Sequence, residues 1–233
     1  MSVLLLGFLI GMRHALDADH LAAVAALATS SRSVEHAVKQ GVVWGLGHTF
    51  TLFLFGSAVV VLDVVLPETL LQGFELAVGV MLVILGADVI RRMIRDRVHF
   101  HVHFREVGTT HFHAHRHPGE AHRDARYHDH LHAHMQGFPI RALVVGVVHG
   151  MAGSGALILL TLNTVESLPL AIFYMLLFGI GSIAGMALLS VVIALPLRAS
   201  ARGLTWVHNA MQGAIGFATV AFGAMVVYEA GVL

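Results

Sequence analysis

Gly11-Met-Arg13-His14-Ala-Leu-Asp17-Ala-Asp19-His20 interrupts a stretch that is otherwise almost wholly apolar from Val3 to Thr29. A helix needs about 20 apolar residues to cross a hydrocarbon core of about 30 Å, and this stretch is long enough. Each of its five ionisable groups would cost about 2.5–3.5 kcal/mol or more if it faced lipid. The cluster therefore faces other helices or a ligand. Five further apolar stretches follow, at roughly 40–62, 70–94, 138–162, 168–195 and 206–229. The expected fold class is an all-α membrane protein with six transmembrane helices. Pro139 and Pro169 sit where a helix starts, the position that tolerates a missing N–H, and Pro196 marks the end of the fifth span.

Composition agrees. Of 233 residues, 57% are hydrophobic and 12% charged, against about 25% charged in soluble domains. Disorder, nucleic-acid binding and an ordinary soluble enzyme are excluded. The 14 Lys+Arg cancel the 14 Asp+Glu, so net charge says nothing about partners. Cysteine is absent, which removes disulfides and thiolate metal sites, whereas histidine reaches 18. The N-terminal apolar run lacks the basic flank and cleavage-like site of a signal peptide and is read as structure.

Basic residues set the topology. Arg32 and Lys39 lie between spans one and two. Arg91, Arg92, Arg95, Arg97, Arg105, Arg116, Arg123, Arg126 and Arg141 lie between three and four, and Arg198 and Arg202 between five and six. The opposite connections carry Asp63, Glu68, Glu75 and Glu166 and no Lys or Arg. The positive-inside rule makes the basic side cytoplasmic and leaves both termini outside. Arg13, within span one, is the exception.

The two halves match weakly but in order. Gly11 and His14 parallel Gly146 and His149. Gly45 and Gly47 parallel Gly179 and Gly181, and Gly79 and Gly86 parallel Gly216 and Gly223. With three spans per half the repeats have opposite orientation, and inverted repeats around a midplane site are a transporter pattern. The units are 1–94, the first three-helix repeat; 95–137, a His-rich cytoplasmic loop; and 138–233, the second repeat.

At about 100° per residue, His14, Asp17, Arg13 and His20 share one arc of about 120°, with Arg13 and Asp17 one turn apart as an ion pair. Asp19 falls off that face and needs a different partner or an unwound turn. His48 and His149 lie at matching depths in spans two and four. Imidazole with carboxylate and no thiolate suits Ni, Co, Zn or Mn, and nitrogen-rich sites favour the later metals. His14, Asp17, Asp19, His20, His48 and His149 are the candidate metal site, with Arg13 as a supporting charge. A buried ion-pair network holding the helices together is the structural alternative. For His48 and His149 taken singly, a packing role is as good a reading as ligation.

The loop between Val98 and Met135 holds His99, His101, His103, His111, His113, His115, His117, His122, His128, His130, His132 and His134. Alternation places histidines on one face of an extended strand, and 98–104 and 110–116 are expected to pair as a short β-hairpin. Such a tract reads as metal binding, collecting or buffering ions at the cytoplasmic mouth. Its alternative is a solvated low-complexity linker.

Arg13-His14-Ala-Leu-Asp17-Ala-Asp19-His20 resembles the first motif of the nickel/cobalt transporter superfamily, a His, four residues, then Asp-His. Gly45-Leu-Gly47-His48-Thr49 is similar to its second. The resemblance implies transport of Ni2+ or Co2+, with His14, Asp19 and His20 central and His48 supporting. Longer members have eight spans and acidic motifs in the second half, whereas His149-Gly-Met-Ala-Gly-Ser154 carries no carboxylate. The chain thus looks closer to the short urease-accessory permease branch. The resulting expectation is a secondary transporter, not an enzyme, importing Ni2+ or Co2+ across the cytoplasmic membrane. It would have no permanently bound cofactor and no nucleic-acid partner. Expected partners are the metal ion, the lipid bilayer and cytoplasmic nickel chaperones. The rival is a non-transporting metal-binding accessory or sensor protein for urease or hydrogenase metallation. An intramembrane serine protease fits poorly, because Ser154 and His208 lie at different depths.

Overall fold

The computed structural model describes residues 3–62, 67–95, 99–103, 111–115, 139–164 and 167–231, with backbone alone in the two short strands and at 3–4, 60, 153–164 and 202–203. Among these residues are seven helices: α1 (Val3–His14), α2 (Ala18–Ala28), α3 (Val34–Leu62), α4 (Glu68–Arg95), α5 (Ile140–Thr164), α6 (Leu168–Gly203) and α7 (Thr205–Glu229). Four of them, α3, α4, α6 and α7, are long and apolar enough to cross a membrane. Large apolar side chains such as Phe50, Leu54, Ile84, Ile180, Leu188 and Phe217 are exposed around the bundle, which suits helices solvated by lipid. The chain is a helical membrane protein.

The first apolar stretch is two helices rather than one. α1 has 12 residues and α2 has 11, each rising about 16–18 Å, roughly half a hydrocarbon core. Between them Ala15–Asp17 leave the helix: the Leu16 and Asp17 N–H groups bond back only three residues, to Arg13 and His14 carbonyls, at 2.8 and 3.1 Å. Asp17 then takes extended backbone angles as the N-cap of α2. The unwound turn sits where the off-face position of Asp19 called for one.

The expected end of the fifth span at Pro196 is corrected. α6 continues through Pro196 to Gly203. A proline removes one helical hydrogen bond, but here the far side is anchored. Arg198 donates to the carbonyl of Ser31, and the buried Ser200 hydroxyl donates to the Leu197 carbonyl at 2.9 Å.

Packing is organised by α3, which lies against both α5 and α6, while α1 packs on α6 and α4 on α7. Glycines let backbones touch at these crossings. A Cβ at Gly11 would overlap the carbonyl of Phe178, and one at Gly146 would overlap the carbonyl of Trp44. Gly47 lies on Leu143 and Val147 of α5, and Gly181 on Phe8 and Met12 of α1. On the α4–α7 crossing Gly79 faces the Gly223 carbonyl and Gly86 the Gly216 carbonyl, each reciprocally. The core runs through these contacts, from Ala23, Val24 and Leu27 through Trp44, Leu82 and Val145 to Met186.

The backbones of 99–103 and 111–115 form strands β1 and β2, antiparallel with His99 opposite His115, His101 opposite His113 and His103 opposite His111. His117, His122, His128, His130, His132 and His134 lie outside the described residues.

Candidate metal centre

The break in the first stretch places two helix ends at one point. The C-terminus of α1, bearing His14, carries the negative end of a helix dipole and favours a cation. The N-terminus of α2 carries Asp17 and Asp19 against its positive end. Discontinuous helices whose broken ends meet at mid-depth recur at transporter ion sites.

Four imidazoles converge there from four helices. The ring centroids of His14 and His20 are 4.4 Å apart, His20 and His48 5.0 Å, His14 and His48 5.5 Å, and His20 and His149 4.3 Å. His20, His48 and His149 are at most 1% exposed. Carboxylates reach two edges of the group. Asp17 Oδ2 is 2.7 Å from His14 Nδ1. Asp19 Oδ1 accepts from the His20 backbone N–H and from His20 Nδ1, both at 2.8 Å, and Asp19 Oδ2 accepts from His149 Nε2 at 2.8 Å. Two sets of three have ligand atoms all within 4.8 Å of one another: His14, His20 and His48; and Asp19, His20 and His149.

The remaining ring nitrogens have no hydrogen-bond partner among the described residues. His14 Nε2, His20 Nε2, both nitrogens of His48 and His149 Nδ1 are buried and unpaired. A buried polar atom left so costs about 1–3 kcal/mol, and several concentrated at one point form a donor set suited to a cation.

The structure thus gathers His14, Asp19, His20, His48 and His149 and places Asp17 at the rim, its side chain 56% exposed. The expected Arg13–Asp17 ion pair is not formed. The helix unwinds between them, so Asp17 turns to His14 and Arg13 points outward, exposed. His208 stands apart at the α6–α7 junction, bonded to the Leu197 carbonyl at 3.0 Å, and the Ser154 side chain lies outside the described residues.

Sequence reasoning missed Trp44. It is fully buried, with its ring 5.4 Å from His20, 5.6 Å from His149 and 6.4 Å from His48. The available signal was its spacing, one helical turn before His48 on the same face. Phe178, 5.2 Å from His14, closes the other side.

Over all 233 residues the chain is 33% identical to the urease accessory protein UreH of Bacillus sp. (strain TB-90), covering 93% of that protein. No protein-family model matches the chain, and no solved structure matches it. Full-length identity at this level, together with the Asp-His motif at the broken helix, shows that the chain belongs to the UreH family, the short urease-accessory branch of the nickel/cobalt transporter superfamily.

Proposed function

We propose that the chain is a secondary transporter that imports Ni2+ or Co2+ across the cytoplasmic membrane. The ion is cargo rather than a resident cofactor. One observation carries this reading: five side chains able to ligate a metal meet at the break of a discontinuous helix, with buried imidazole nitrogens that nothing among the described residues satisfies. A structural ion-pair network would pair those nitrogens. Here they stay open.

The fold reading that accompanies it is six spans in two inverted repeats, 1–94 and 138–233. Reciprocal packing supports it. Gly11 on Phe178 is mirrored by Gly146 on Trp44, and Gly47 on Leu143 and Val147 by Gly181 on Phe8 and Met12. A pseudo-two-fold axis exchanges such contacts. Rocking one repeat against the other would expose the cluster to each side in turn. In this reading the basic connections and the His-rich loop (95–137), with its hairpin, face the cytoplasm, and both termini are outside. The loop histidines gather or buffer the arriving ion and pass it to cytoplasmic nickel chaperones.

A second reading is favoured by the relative's description as a urease accessory protein: a non-transporting membrane protein that binds or senses metal for urease assembly. Accumulation of radiolabelled nickel by cells expressing the chain, with and without His14→Ala, separates the two. Import predicts accumulation above the vector control that His14→Ala abolishes. Accumulation below control reverses the direction, and a signal indifferent to His14 sinks the transport reading.

A further inference from the structure

We propose that Asp88 and Arg141 form a latch, closed in this structure, whose opening lets the ion pass between the metal cluster and the end of the bundle that carries the basic connections. The proposal rests on the transporter reading above and adds a gate on one side of its site. Arg141 stands in the first turn of α5, in the second half of the chain, and its guanidinium lies 2.7 Å from Asp88 Oδ2 on α4, in the first half. Arg92, one turn further along α4, lies 3.3 Å from the same oxygen. Its Nη2 donates to the Thr29 hydroxyl, at the end of α2, at 3.4 Å. The pair is thereby tied to the helix that carries Asp19 and His20.

Position makes the pair a gate. Arg141, Val145 and His149 fall on one face of α5 at successive turns, so the pair lies two turns, about 12 Å of rise, from the cluster. On α4, Leu82 and Leu85 precede Asp88 on the same face. Leu82, Leu85 and Val145 are buried and pack in one core with Val24 and Leu27 of α2. An ion moving from His149 in this direction meets that apolar plug and then the latch. The seam itself is weakly fastened. Glycine crossings bring backbones together between α4 and α7, at Gly79 and Gly86, and between α3 and α5, at Gly47 and Gly146. Between α4 and α5 an apolar groove of about 480 Å3 remains instead, with Val80 and Ile84 on one wall, Val145 and Val148 on the other and Arg141 among its lining. The side chains of Asp88 and Arg141 are 26% and 52% exposed, where water compensates a broken ion pair and its net contribution is small. A contact of that strength holds a seam closed and yields when the helices move.

The test places spin labels at Arg91→Cys and Ile140→Cys, both exposed beside the latch, in the full chain, which has no cysteine of its own. Their separation is read by pulsed electron resonance in detergent. Asp88→Ala and Arg141→Ala should each lengthen or broaden that distance, and the two together should do no more than either alone. An unchanged distance, or effects that add, overturns the latch. A second arm joins Asp88→Cys to Arg141→Cys in cells with a short, membrane-permeant, reducible thiol cross-linker. Nickel accumulation should be present before cross-linking, fall to the vector control after it, and return on reduction. Accumulation that survives the cross-link overturns the proposal. So does a double-cysteine chain that is silent before cross-linking while the unmodified chain accumulates nickel, which makes the pair a brace rather than a gate. An unmodified chain that accumulates no nickel refutes the transporter reading, while the distances still decide the latch.

Discussion

His149 Nε2 on α5 donates to Asp19 Oδ2 on α2 at 2.8 Å, joining residues 130 positions apart. Through Asp19 the bond continues to His20, so one carboxylate sets the position of two imidazoles from different helices. His149→Ala should release Asp19 and lower nickel accumulation about 10-fold or more, in the range of lost outer contacts at metal sites. His149→Gln keeps an N–H near the Nε2 position and should retain most of the activity. If Gln is as inactive as Ala, His149 acts by ligation rather than by this bond.

Trp44 supplies an optical probe. The chain has two tryptophans, and Trp206 is 72% exposed at the start of α7, whereas Trp44 is fully buried beside His20 and His48. In a Trp206→Phe chain, the emission belongs to Trp44. Titration with Ni2+ or Co2+, whose partly filled d shells quench nearby fluorophores, should reduce that emission saturably, and Zn2+ should not. Quenching that persists in a His14→Ala, His20→Ala double variant would place the bound ion elsewhere.

How much of this was legible in the sequence depends on whether an effect is local. The apolar stretches and the polar insertion in the first of them are local and were read directly. The Arg13–Asp17 pair was misread because angular reasoning assumes an unbroken helix, and the turn at Ala15–Asp17 cancels the phase relation between the two. Pro196 was misread as a stop because the anchors beyond it, Arg198 on Ser31 and Ser200 on Leu197, come from tertiary and end-of-helix contacts. The meeting of Asp19 with His149 is long-range, yet its trace was present: His14 and His149 occupy matching places in the two halves. Trp44 was marked only by its spacing of one helical turn from His48, and an aromatic residue in an apolar helix otherwise reads as ordinary core.

The glycine crossings predict a graded stability series. Gly11→Ala and Gly146→Ala each drive a methyl group into a facing carbonyl, of Phe178 and Trp44, and overpacking costs about 1–3 kcal/mol. Both should lower the thermal midpoint in detergent by several degrees. Gly73→Ala is the control, with nothing within 4 Å of its added Cβ, and should be neutral or slightly stabilising because alanine favours a helix by about 1 kcal/mol. Equal behaviour of all three would mean that the α1–α6 and α3–α5 crossings are looser than described.

The absence of cysteine allows the orientation of the chain to be read without background. In the proposed orientation the basic connections, with Arg91 and Arg92 before residues 95–137 and Arg141 after them, face the cytoplasm, as the positive-inside rule expects. Glu68 opens α4 at the opposite end and is exposed. In intact cells a membrane-impermeant thiol reagent should therefore label Glu68→Cys at once. Glu120→Cys, in the loop, should react only after the membrane is permeabilised. The reverse pattern would put the His-rich loop outside, where it could collect metal from the medium but could not hand an imported ion to cytoplasmic acceptors. Labelling of both positions in intact cells would break the assignment of an odd number of crossings between them.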